Sequence, residues 1–244
     1  MPEPALSDIA GRILLIGASR GLGHAMAGEF LQKGWRVTGT IRGGNRTLLH
    51  QLADQYEGRV EIEILDICDP HQLAALHTRL AGRIFDILFV NAGATNPDPT
   101  QTIGEVSTED FTQLMITNAL SPMRVIETLQ HNVAASGTIG VMSSGQGSIT
   151  NNVTGLRELY RGSKAALNMF MRSFAARQAN AASAGGASRS MVVMAPGWVR
   201  TDLGGPQGTL SIEESIPSLV NVLLSIQGTP GLQYLDYLGR TVPW

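Results

Sequence analysis

Tyr160 and Lys164 stand four residues apart in Tyr160-Arg161-Gly162-Ser163-Lys164. On a helix that spacing puts both side chains on one face. A cation held beside a phenol favours the phenolate and brings its pKa down from about 10 towards neutrality. Tyr160 is therefore a candidate general acid/base, with Lys164 the group that tunes it. A second stretch able to do chemistry lies far upstream, Gly17-Ala18-Ser19-Arg20-Gly21-Leu22-Gly23. Residues without a Cβ let backbone approach a pyrophosphate, which rests on the N-terminus of the helix that follows. Alone, a Tyr-Lys pair is more often a surface pair, and three glycines are often a structural turn. In this order they point to a dinucleotide pocket with a proton donor beside it.

The elements that would position these groups alternate along the chain. Strands are expected at Arg12 to Ile16, Arg36 to Ile41, Val60 to Leu65, Phe85 to Val90, Thr138 to Ser143, Met191 to Met194 and Gln233 to Asp236. Helical patterns run from His24 to Lys33 with Gly34 as C-cap, from Asp69-Pro70 to Arg79, from about Thr108 past Asn118 towards Val133, and from Arg161 to Asn180. Strands alternating with helices predict a doubly wound parallel sheet of about seven strands, covered on both faces. The small-residue stretch Ala179 to Ser190 reads as a loop, too short to separate domains, so residues 1–244 read as one domain.

Bulk composition narrows the function classes. With 18 basic and 20 acidic residues the net charge is −2, so no strong field recruits nucleic acid or an anionic membrane. The one cysteine, Cys68, cannot form an internal disulfide, which fits a reducing compartment. Met1 to Asp8 carries acids where a secretory signal would be basic, and no apolar run is long enough to span a bilayer. A cytoplasmic location is expected.

The chain resembles the short-chain dehydrogenase/reductase family, a Rossmann-type fold, from about Arg12 to its C-terminus. The motifs that carry the resemblance occur in order: Gly17-x-x-x-Gly21-x-Gly23, Asp66, Asn91-Ala92-Gly93, Asn118, Ser144, Tyr160-x-x-x-Lys164 and Pro196-Gly197. Tyr160 to Met169, Pro196 to Leu203 and the terminal Val242-Pro243-Trp244 are similar to the C-factor and carbonyl-reductase-like branch. The resemblance implies roles. Tyr160 would exchange a proton with a carbonyl or alcohol oxygen, Ser144 would hold that oxygen, and Lys164 would hold the nicotinamide ribose and keep the Tyr160 pKa low. Asn118 would bind a water that links Lys164 to solvent. Ser143 competes with Ser144, and Ser144 is preferred because Gly147 follows it by three.

For the cofactor, the resemblance assigns the glycine stretch, with Ser19, Arg20 and Leu22, to the pyrophosphate. Asp66 and the Ile67 backbone would face the adenine, although Asp66 also reads as a plain turn acid. Asn91, Ala92 and Gly93 would pass close to the cofactor. Pro196, Gly197 and Val199 would cross the nicotinamide, with Thr201 capping a mobile lid through about Ser211. Ile16 stands where the family usually has threonine, so the glycine turn is expected to lack a hydroxyl's support. The chemistry needs no metal.

Cofactor choice turns on the residues after the second strand. An acid there binds both ribose hydroxyls of NAD and repels a 2′-phosphate. Here Ile41 occupies that place and Arg42 follows, with Arg20 a second cation at the same corner. Guanidinium forks suit phosphate oxygens, so NADP is expected rather than NAD. The leading expectation is an NADP-dependent carbonyl reductase or alcohol dehydrogenase acting on a small molecule. The rival is a cofactor-binding sensor or signalling protein, which would have no need of a proton donor; epimerase or dehydratase chemistry would instead recycle the cofactor. Many family members are homodimers or homotetramers through the helices of Asn118 and Tyr160, whereas the carbonyl-reductase branch includes monomers. The substrate wall is expected from Thr95 to Thr102, Ile149 to Leu159 and Trp198 to Leu210.

Overall fold

The structure is a computed structural model that describes residues 9–183, 185–186 and 189–244. The reading of Met1 to Asp8 and the centre of the expected loop before Ser190 lie outside the described residues. Seven strands form one parallel sheet in the order β3-β2-β1-β4-β5-β6-β7. They are β1 Arg12–Ile16, β2 Arg36–Ile41, β3 Val60–Ile64, β4 Phe85–Val90, β5 Val133–Met142, β6 Ser190–Ala195 and β7 Gly231–Asp236. This is the doubly wound Rossmann-type sheet expected.

Period-two alternation divides the apolar side chains between the two faces. Leu14, Ile16, Ile139, Val141 and Val193 pack with α3 (Pro70–Arg79), α5 (Ser121–Leu129) and α6 (Glu158–Ser183). Ile13, Leu15, Val192 and Met194 pack with α1 (Gly21–Gln32), α2 (Leu48–Gln55) and α7 (Ile212–Ser225). Both faces are covered because βαβ crossovers put a helix over each pair of parallel strands.

The strand order reverses between β1 and β4, which opens a crevice at their carboxyl ends. There the Ile16 carbonyl accepts hydrogen bonds from both Asn91 N (2.9 Å) and Ala92 N (3.0 Å), so the two loops that would hold a dinucleotide are tied together.

Two helices, α2 and α7, fall where no helix was expected. Helix α7 contains Pro217, which argues against a helix by composition, but its start carries a capping box. Ser211 Oγ accepts from Glu214 N, and Glu214 Oε2 accepts from Ser211 N. The expected run from Thr108 to Val133 is broken into α4 (Thr108–Met115), a π turn at Ile116–Leu120, and α5, and it stops at Leu129. Strand β5 starts five residues earlier than expected, at Val133, because a register shift inserts residues between the Phe85↔Val133 and Ile87↔Thr138 rungs.

Candidate active site

The glycine turn is built to leave α1 open at its N-terminus. Gly23 packs so tightly that an added Cβ would lie 2.0 Å from the Gly17 carbonyl and 2.6 Å from Asn91 Nδ2. Asn91 Nδ2 itself donates to Gly17 O at 2.8 Å. Gly21 has φ 55 and nothing within 4 Å of where its Cβ would stand, so its side is clear for a ligand. Arg20, the N-cap of α1, makes no side-chain cap, and the first turn carries no acid. The first N–H groups of α1 therefore point into that open space, the arrangement that receives a pyrophosphate. The support expected to be lost with Ile16 comes instead from the neighbouring strand. Thr40 Oγ1 accepts from Gly17 N (2.9 Å), and Thr40 O accepts from Ala18 N (2.8 Å). Ile16 is buried in the core.

Two expectations at the ribose corner need correction. Ile41 is buried among core side chains, not turned towards a ribose. Ile41→Asp would put a carboxylate into that core, so it is expected to cost roughly 3 kcal/mol of stability or more rather than invert cofactor choice. Denaturant unfolding of the variant checks this. Arg20 is not aimed at the corner but pairs with Asp202 across the mouth of the crevice, Nη1 to Oδ2 3.0 Å. Both side chains are largely exposed, so the pair is worth at most about 1 kcal/mol and is easily exchanged for another partner. Arg42 is exposed and forms no ion pair among the described residues.

Asp66 divides its work. Its Oδ1 accepts from Cys68 N (2.9 Å) in a turn at the end of β3, which is the plain reading, while Ile67 beside it is buried. On the other wall, the Pro196 carbonyl accepts from the buried Ser215 hydroxyl at 2.7 Å, and Gly197 takes φ 83. The segment beyond is tied rather than loose: Val199 bridges to Leu210, Arg200 N donates to Leu210 O (2.9 Å), and Thr201 Oγ1 accepts from Gly204 N (3.0 Å).

Tyr160 and Lys164 are both buried in the first turns of α6, on the face turned towards β5 and the π turn. The π turn places Asn118 between Ala94 and Ser163. Its Oδ1 accepts from Ala94 N (2.8 Å), and its Nδ2 donates to Ala94 O and to Ser163 Oγ, each at 2.9 Å. Ser163 Oγ in turn donates to Tyr160 O (2.8 Å). The Asn118 side chain is thus a brace whose polar atoms are engaged. A widened turn at such a position is a common device of functional sites. Gly93 fits between Asn118 Oδ1 and Lys164 Nζ, each 3.3 Å from where its Cβ would be.

The two serines separate clearly. Ser143 Oγ is spent on Asn168 Oδ1 at 2.7 Å, whereas the Ser144 hydroxyl sits close enough to the Tyr160 phenol to favour its ionised form. Burial nevertheless dominates and raises the Tyr160 pKa; Ser144, and then Arg157, oppose it. Lys164 is not among the influences that lower the Tyr160 pKa. Lys164 Nζ lies 5.8 Å from the centre of the Tyr160 ring and donates to the Met142 carbonyl at 3.0 Å. Its own burial lowers its pKa to about 8, which weakens it as a source of positive charge.

Three supports have roles that the sequence reading did not assign. Arg157, with φ 63, holds its guanidinium carbon 5.1 Å from the Tyr160 ring centre. Tyr234 on β7 donates its hydroxyl to the Ser144 carbonyl. Trp244 packs on Tyr234 at 5.2 Å between ring centres, while its carbonyl accepts from Thr150 N (3.1 Å), Thr150 Oγ1 (3.0 Å) and Ser148 Oγ (3.3 Å). The terminal Val242-Pro243-Trp244 motif and the expected strand at Gln233 to Asp236 were the sequence signals for the last two. Beside Arg157 opens a largely apolar cavity of about 360 Å³ lined by Thr95, Asn96, Leu156, Trp198 and the 202–207 turn, all from the expected substrate segments.

A family model for short chain dehydrogenases matches residues 12–209. The chain belongs to this family. A short-chain dehydrogenase/reductase of Burkholderia multivorans, solved with bound NADP, is 66% identical, with a TM-score of 0.91 over 96% of this chain and 99% of the other. A carbonyl reductase from Pseudomonas aeruginosa PAO1 in complex with NADP is 30% identical, with a TM-score of 0.83 over 96% and 99%. The C-signal protein of Myxococcus xanthus is 31% identical over 70% of this chain and 100% of its own length. Within the short-chain dehydrogenases the chain therefore falls in the C-factor and carbonyl-reductase-like branch. Among the described residues no helix is long and apolar enough to cross a membrane, and no cluster of His, Cys, Asp or Glu is placed to hold a metal.

Proposed function

We propose that the protein, a single unit over residues 1–244, is an NADP-dependent oxidoreductase that interconverts a carbonyl and an alcohol on a small molecule. Tyr160 is its general acid/base. The observation that carries this reading is the convergence of Ser144, Tyr160 and Lys164 at the carboxyl edge of the sheet, beside an uncapped α1 N-terminus. The nicotinamide, when bound, supplies or accepts the hydride. The chain's own residues do the rest. The N–H groups after Gly21 take the pyrophosphate, Asp66 and Ile67 border the adenine, and Ala92 and Gly93 keep the crevice floor narrow. Lys164 holds the ribose, and the Pro196 to Val199 backbone faces the nicotinamide. Ser144 positions the reacting oxygen. Tyr160, kept protonated at neutral pH by burial, gives that oxygen a proton in the reducing direction. The NADP-bound relatives and the free Arg42 support the phosphate-bearing cofactor.

The test is NADPH consumption with a panel of aldehydes, ketones and quinones; no turnover with any of them, despite tight NADPH binding, would favour the sensor reading instead. For cofactor choice, Arg42→Ala is expected to weaken NADPH binding ten- to a hundredfold, about 1.5–3 kcal/mol, and to leave NADH nearly unchanged. Fluorescence titration of both cofactors decides it, since equal losses would make Arg42 a loop support. Exposed Phe111, Leu120, Met169 and Phe170 on α4, the π turn and α6 support pairing of two copies through these helices. A cytoplasmic setting suits the reduced cofactor and the lone cysteine.

A further inference from the structure

Among the described residues, Arg157 is the only non-glycine with positive φ, a conformation that L side chains rarely adopt and that concentrates at functional sites. Its backbone is fixed there because its carbonyl accepts from Arg161 N (2.9 Å) in the first turn of α6. That turn delivers the guanidinium over the Tyr160 ring and onto the wall of the 360 Å³ cavity, with Nη2 3.3 Å from Thr95 Oγ1. Its Nε is buried and has no hydrogen-bond partner.

No carboxylate pairs with Arg157 among the described residues, and the nearby acids have other partners. Glu158 accepts from Ile103 N at 2.8 Å, and Asp202, which also lines the cavity, makes an exposed, weak pair with Arg20. The remaining wall is uncharged: Thr95, Asn96, Leu156, Trp198 and Pro206. A partly buried cation with no acidic partner is costly, unless an anion arrives to meet it. We propose that Arg157 is the substrate-reading residue of this site and that the preferred substrate is a carbonyl compound carrying one carboxylate, seated on this guanidinium while its carbonyl faces Ser144 and Tyr160. A single fork in a small, largely apolar cavity matches one planar carboxylate better than a phosphate dianion. The proposal rests on Tyr160 as the proton donor.

The experiment compares keto acids whose carbonyl lies two, three or four bonds from the carboxylate, each with its methyl ester, by NADPH oxidation. The wild type is expected to favour the acid over its ester ten- to a hundredfold in kcat/KM at one spacing. Arg157→Gln should bring that ratio close to one, and Arg157→Lys should keep part of it. The ratio is the readout because any effect of Arg157 on Tyr160 itself acts on acid and ester alike. Should Arg157→Gln fold poorly by thermal melting, inhibition of the wild type by a carboxylate and by its amide replaces it, with the carboxylate expected to bind more tightly. A wild type with no acid preference at any spacing, a preference that survives Arg157→Gln, or equal inhibition by acid and amide would overturn the proposal. Turnover of esters alone that depends on Tyr160 would leave the oxidoreductase reading standing; turnover of both that survives Tyr160→Phe would remove Tyr160 as the proton donor instead.

Discussion

Tyr160→Phe should lower turnover by about 10²- to 10⁴-fold while NADPH binds almost as before, the range expected when a general acid/base is lost. The variant deletes one hydroxyl and keeps the ring. The ring's neighbours, Arg157 and Lys164, therefore retain their contact. Rates under saturating cofactor, together with a separate binding titration, give the two quantities. Turnover close to wild type on a confirmed substrate would remove Tyr160 from the proton-transfer step.

Lys164→Ala should damage both binding and turnover, and the wild type should show why through its pH dependence. Burial lowers the Lys164 pKa to about 8 from an ordinary 10.5. Hydrogen bonds to ribose oxygens and the negative charge of the cofactor both favour the ammonium, so binding raises this pKa. The sign follows from linkage: the bound state holds more protons than the free state, so NADPH binds best below pH 8 and loses affinity as pH rises through about 8. Calorimetry in buffers of different ionisation enthalpy should register proton uptake on binding near pH 8, and Lys164→Ala should abolish it. An identical uptake in the variant would assign the titration to another group.

The layout of sheet and cofactor edge could be read from the chain because it rests on local signals. Short apolar runs alternating with helical patterns marked all seven strands, and Gly17, Gly21, Gly23 and the Asn91 turn marked the crevice. What escaped depends on contacts distant in sequence. Thr40 replaces a missing hydroxyl from the next strand, which no inspection of the turn around Ile16 could reveal. Ile41 has a position in the sequence that suggests a ribose contact, but strand alternation turns it into the core. Arg157 looks like an ordinary loop cation until the left-handed turn sets it over Tyr160. The behaviour of the Tyr160-Lys164 pair could not follow from spacing either, because burial acts on both groups and is the largest influence on each.

The anchoring of Trp244 has a consequence for how the site comes into being. Ser144 is steadied through its carbonyl by Tyr234, whose ring is packed by Trp244, and the loop just after Ser144 is tied to the Trp244 carbonyl. The contacts that seat the serine close over 90 residues or more, whereas the crevice is assembled from β1 to β4. Pairing over so long a span is slow, so the nucleotide crevice can take shape before the reacting centre does.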